Sequence, residues 1–366
     1  MNRAIASSTY KPWRFKIIPI KDIFWTLFGF LIFIPIELAD GLFLAYFQIL
    51  ALFFLSKKIS TVKFSIFSLY CLIVVLSITL GDEIRLASII NPILIGMALL
   101  INIRSKYRSE MIIKGIYISA IAHTFLLMYI FSTADITTLY GMLTQRDWAS
   151  DVIPYFGNGL AMSFAVSMLF AAKDRNWKLL LILFIGGVLT TSRVPIFSVV
   201  IISFFFVARS ISLKNLINII FIGFLVSFTF ITLFTNYNLA EQVEGILYRF
   251  TYASDRNNVY LLAISEIVEN PILGAGSKKL EYYYHAHNSF LQVAYRYGIF
   301  AFCLWFFLIY LSLLRGLMSL KYIEYILVFI LISFFQIGLL NPCVVLMIII
   351  FRQFWLDQSV KVNSNH

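Results

Sequence analysis

The stretch Glu269–Gly298 reads ENPILGAGSKKLEYYYHAHNSFLQVAYRYG and is a polar island in a chain otherwise compatible with hydrocarbon. It holds an Asn270-Pro271 pair, a Gly274-Ala275-Gly276 run, the tyrosines Tyr282 to Tyr284, and two histidines, His285 and His287. Around it, the 366-residue chain is 61% hydrophobic and 13% charged, with a mean hydropathy of +0.88. A soluble chain carries about a quarter charged residues. The composition therefore predicts an all-α integral membrane protein, with one large polar loop where chemistry is to be sought.

Apolar runs of roughly 16–21 residues predict about twelve transmembrane helices, the shorter runs being at the lower limit for crossing a bilayer. Nine fall within 23–235 and three within 294–357. Two pairs of runs, 23–38 with 41–56 and 177–192 with 194–209, leave room only for tight turns. Residues 1–22 and the tail 358–366 are read as cytoplasmic, and 236–293 as a long periplasmic loop. With the N-terminus inside, only Arg85, Arg146, Arg193, Arg249, Arg256, Lys278, Lys279 and Arg296 fall outside; the other 21 of the 29 Lys and Arg are inside. That asymmetry fits the positive-inside rule, and the flipped topology would reverse it.

Several function classes are excluded. The net charge of +11 comes from short loops between apolar runs, so it does not mark a nucleic-acid binder. Cys71, Cys303 and Cys343 stand alone in apolar runs and build neither a disulfide framework nor a thiolate site. No Walker lysine motif and no Asp-x-Asp pair occurs. Glu281 is the only acid close to the histidines, so a metal site there is weak, and no metal or cofactor is expected. The basic N-terminus lacks the small-residue cleavage pattern of a signal peptide.

The loop has its own organisation. Ser254 or Asp255 can cap a helix that runs to about Glu269, with Val259, Leu262, Ile264, Ile267 and Val268 at helical spacing and Pro271 ending it. Gly274 and Gly276 then permit a tight, close-approach turn. A second helix is predicted to start at His287 or Asn288 and run past Gly298. His287 would then sit where free N–H groups and the helix dipole favour an anion and keep the imidazole neutral. Its bland reading is a capping or interfacial histidine. Arg193, at the tip between two apolar runs, and Arg256, in the first turn of the loop helix, are suited to bidentate phosphate binding. Their bland readings are a snorkelling anchor and a surface ion pair. Arg249 is a rival to Arg256. Tyr284 and its neighbours can stack on sugar faces or form an interfacial belt.

Read in order, Thr191-Ser192-Arg193, Ser254-Asp255-Arg256, Asn270-Pro271-Ile272-Leu273-Gly274-Ala275-Gly276, Ala286-His287-Asn288-Ser289-Phe290-Leu291 and Gly298 form a pattern spanning about 190–300. It resembles the O-antigen polymerase and O-antigen ligase superfamily of bacterial membrane glycosyltransferases. One departure is Tyr260, which stands where a tryptophan is frequent four residues after the loop arginine. The resemblance implies metal-independent transfer of an undecaprenyl-pyrophosphate-linked oligosaccharide, which serves as donor and acceptor, on the periplasmic side of the inner membrane. It implies pyrophosphate binding by Arg193 and Arg256 and proton abstraction by His287, with substrate contacts at Arg249, Gly274, Gly276, Asn288 and Tyr284. Membrane lipids and a chain-length regulator protein are the implied partners. A polymerase of repeat units is the expectation. The alternatives are a ligase acting on a lipid A core and, from another class, a lipid-glycan flippase or secondary transporter.

Overall fold

The computed structural model describes residues 19–39, 42–56, 59–81, 85–103, 105–133, 158–190, 192–210, 256–278, 280, 286, 288–314, 323–335 and 338–363. The expected span at 215–235 and the positions Arg249, Tyr284, His285 and His287 lie outside the described residues, and of Arg256 only the backbone is described.

Twelve α-helices occur among the described residues. In chain order they are α1 Ile20–Phe33, α2 Leu44–Phe54, α3 Thr61–Thr79, α4 Leu86–Leu100, α5 Lys106–Thr133 and α6 Asn158–Lys173. Then come α7 Trp177–Leu189, α8 Arg193–Ser210, α9 Arg256–Glu269, α10 Ser289–Ile309, α11 Ile323–Phe335 and α12 Pro342–Asn363. They do not correspond one to one with the predicted spans, because α9 belongs to the polar loop. The only strands among the described residues, β1 Glu37–Ala39 and β2 Leu42–Phe43, pair antiparallel between α1 and α2.

Among the described residues, three segments, Thr61–Thr79, Tyr107–Thr133 and Ser289–Leu314, are long and apolar enough to cross a membrane. Others are shorter than the apolar runs that announced them. The run 41–56 becomes an 11-residue α2, about 16 Å long at 1.5 Å per residue. The hairpin takes the rest, consistent with the Asp40-Gly41 pair between its strands, a strong hairpin signal. The tenth helix begins at Ser289 and runs on through 294, where the span was expected to start.

The centre of the bundle is α6 with α12. Every residue of Leu160–Ala171 is buried, as is every residue of Cys343–Phe351. Both helices are apolar all round, which suits an interior position. Ala161, Ser163, Ala165 and Ser167 let neighbours approach α6 closely. Phe170 meets Phe351 edge-on at 4.1 Å between centroids. Around this pair, α1 packs on α5, α10 on α3, and α8 on α6, α7 and α11. Asparagine caps set several helix starts, because a side-chain oxygen satisfies N–H groups the helix cannot. Asn176 Oδ1 accepts from Leu179 N at 3.1 Å, and Asn341 Oδ1 accepts from Cys343 N at 3.0 Å.

Packing brings several turns to one end of the bundle. Gly186, near the end of α7, lies against Phe164 of α6, and Met162 of α6 lies against Gly338. Leu339 N donates to Ser289 Oγ at 3.2 Å. Tyr260 Oη of α9 donates to Phe334 O at the end of α11 at 3.3 Å. The α7–α8 turn, the α11–α12 turn, the start of α10 and the helix α9 therefore share that end. Lys178, at the start of α7, marks the other.

Lys278 and Lys178 are both exposed. Cysteines placed at these positions, in a background lacking the native three, report the orientation. Lys278→Cys should react with a membrane-impermeant maleimide in intact cells, and Lys178→Cys only after permeabilisation. The reverse pattern would overturn the charge-based topology.

Candidate active site

The site end is organised around a break in α10. Gly298 has φ 81° and ψ 172°, far from helical values, and its bend interrupts the i→i−4 ladder. The loop after α9 supplies the missing partners. Ile299 N donates to Pro271 O at 2.9 Å, Ala275 N to Tyr295 O at 2.7 Å, and Gly276 N to Arg296 O at 2.9 Å. From α3, Ser77 Oγ reaches Tyr297 O at 3.3 Å. Each buried backbone group left without a partner would cost about 1–3 kcal/mol.

Two glycines make this contact possible. A Cβ on Gly298 would lie 2.0 Å from Ile272 O, and one on Gly274 would lie 2.5 Å from the Arg296 carbonyl carbon. Both have positive φ, a region costly for other residues. Gly274 and Gly276, expected to touch substrate, both take part in this backbone clamp. The clamp is extended by side chains of α10. Tyr297 Oη donates to Ser88 O of α4 at 2.9 Å, and Tyr295 Oη donates to Lys278 O.

The helix α9 matches the predicted extent, Arg256–Glu269, and Pro271 follows it. Its Val259 and Ala263 form a small buried cluster with Leu280, Ala286 and Tyr295. Ile264 and Val268, expected on the same apolar face, point away from it and are exposed. Helical spacing identified apolar positions correctly but merged two different faces.

The start of α10 agrees with the later of the two expected positions, His287 and Asn288. The helix begins at Ser289, and Asn288 is its N-cap. Asn288 is buried, and its Oδ1 accepts from Phe290 N at 2.9 Å and from Leu291 N at 3.1 Å. Those two N–H groups are therefore not free for an anion. Asn288, expected as a substrate contact, caps the helix through Oδ1. Gln292, which the sequence reading passed over, is buried and accepts from Ala286 N through Oε1 at 2.6 Å. The residues on both sides of His287 are thereby tied to the first turn of α10.

Arg193 is the first residue of α8, at the end of the bundle shared with α9 and the start of α10. The turn before it is held by Thr190 Oγ1, which donates to Gly187 O at 2.6 Å, and Ser192 is buried. Pro195 sits in the first turn, where its missing N–H is harmless, and packs on Gly187. The backbone of Arg256 opens α9 at the same end. Two arginine-bearing helix starts and the capped start of α10 thus converge. Cations at helix N-termini oppose the dipole, and an anionic ligand would offset that.

The fold and this polar end define an integral membrane protein of the helical-bundle type. Residues 179–306 match the family described as O-antigen ligase. The matched stretch is thus similar to members of that family. It contains Arg193, α9, the glycine clamp and the start of α10. No curated protein matches the chain.

Gly298→Ala should destabilise the protein, with a backbone strain of about 1–3 kcal/mol before the clash with Ile272 O is counted. Gly276→Ala should be milder, because its Cβ would meet Ser77 O at 3.0 Å. Thermal melts of the purified protein in detergent give the ranking. A melt of Gly298→Ala equal to wild type would remove the clamp from the account.

Proposed function

We propose that the chain polymerises undecaprenyl-pyrophosphate-linked oligosaccharide repeat units into an O-antigen or related surface polysaccharide, at the periplasmic end of the bundle. The observation that carries this reading is the convergence of Arg193, α9 and the His287 segment's anchors at one end, inside the family-matched stretch. In the reaction, the acceptor sugar's hydroxyl oxygen attacks the anomeric carbon of the growing chain. The bond from that carbon to the pyrophosphate oxygen breaks, and its electron pair leaves with the lipid pyrophosphate. His287 takes the hydroxyl proton. Arg193 and Arg256 hold the pyrophosphate and stabilise its growing charge. Chemistry of this type needs charge stabilisation and one base, and no redox step.

The ligase reading, transfer of finished glycan to a lipid A core, is favoured by the description of the matched family. The two readings differ in the phenotype of a deletion strain. Loss of the polymerase leaves one repeat unit on the core, whereas loss of the ligase leaves none. Complementation then tests the residues. His287→Ala should lower the rate by roughly 10²–10⁴-fold with normal protein abundance. His285→Ala should retain most activity. Arg193→Lys and Arg256→Lys should each fall by on the order of 10²–10³-fold, because a lysine cannot reproduce the planar fork. Near-normal polymer from the lysine variants would count against bidentate phosphate binding.

A further inference from the structure

We infer that α9 is an interfacial helix whose outward face lies in the lipid surface beside the site. The helix has three strips. Val259 and Ala263 face the bundle and are buried. Asn258, Ser265 and Glu269 form an exposed polar strip. Leu261, Ile264 and Val268 recur at three- and four-residue spacing, so they share one strip, and they are 65%, 46% and 73% exposed. An apolar strip of this size on a helix facing only water would be a liability.

What covers it is indicated by the surface it joins. Ile272, 61% exposed, continues the strip past the end of α9. Its carbonyl lies against Gly298, so it sits beside Ile299 and Phe300, which are exposed on the membrane-crossing segment Ser289–Leu314. The apolar surface is therefore continuous from the span onto the helix. The depth agrees. Residues 299–314 span about 24 Å at 1.5 Å per residue, against a hydrocarbon core of about 30 Å, so the break at Gly298 lies near one boundary of the core. The helix α9 is held at two places, near its start by Tyr260 Oη on Phe334 O and after its end by the clamp on Gly298. A helix pinned this way lies across the bundle end with one strip down, as interfacial amphipathic helices do. This reading depends on α10 crossing the bilayer and is independent of the transfer chemistry.

Environment-sensitive probes on single cysteines test the orientation, using full-length protein in vesicles of phosphatidylethanolamine and phosphatidylglycerol. Bimane on Val268→Cys or Ile264→Cys should emit at shorter wavelength and lose most of its intensity to spin-labelled lipid, with little loss to aqueous iodide. Bimane on Glu269→Cys should behave oppositely. Melts of the labelled variants confirm that each is folded, and two positions on the apolar strip guard against one that is not tolerated. Equal iodide quenching at Val268 and Glu269 would overturn the inference. So would shielding of the Val268 and Ile264 probes from both quenchers, because that would mean a protein surface covers the strip.

Discussion

Everything at the site end depends on the exchange of backbone hydrogen bonds between the α10 break and the loop 271–276. A helix crossing a bilayer has no water to satisfy a broken ladder, so a bend must be repaired by protein. Here the repair comes from a segment close by in sequence, with one hydroxyl from α3. The same contacts that stabilise the bend therefore fix where α9 lies and how the chain re-enters the bundle. Because backbone atoms make most of them, side chains in the loop add little except where glycine is required.

The second constraint is the cap. Asn288 and Gln292 use their side-chain oxygens on the N–H groups of Phe290, Leu291 and Ala286. The bond to Ala286 is buried and the other two are part-buried, where an unmet N–H is expensive. The segment is tied on both sides of His287, at Ala286 and at Asn288.

Much of this was legible in the sequence. Pro271 fixed the end of α9, and an asparagine stands at the start of several helices, among them Asn176, Asn288 and Asn341. The membrane class followed from composition, and Arg193 was placed at a helix tip by the closeness of two apolar runs. Other features were not legible, for physical reasons. Apolar length reports exclusion from water, not helix length, so the hairpin between α1 and α2 was read as the ends of two spans. Periodicity marked Ile264 and Val268 as apolar but could not separate a protein-facing strip from an exposed one. The role of Gly274 depends on contact with Arg296, twenty-two residues away, and that of Ser77 on contact with Tyr297; no local pattern contains either. The one available hint for Ser77 is its i, i+4 partner Gly81, a small-residue pair suited to close helix contact.

The length of α7 sets a depth. Its 13 residues, closed by a turn at each end, rise about 20 Å, roughly 10 Å less than the hydrocarbon thickness of an ordinary bilayer. With Lys178 anchored at one face, the turn before Arg193 cannot reach the level of the headgroups on the other unless the membrane dips to meet it. Hydrophobic mismatch of this kind is relieved by local thinning, at fractions of a kcal/mol per Å. For α7 to cross a bilayer of ordinary thickness, the membrane beside this end of the bundle would have to thin by that difference.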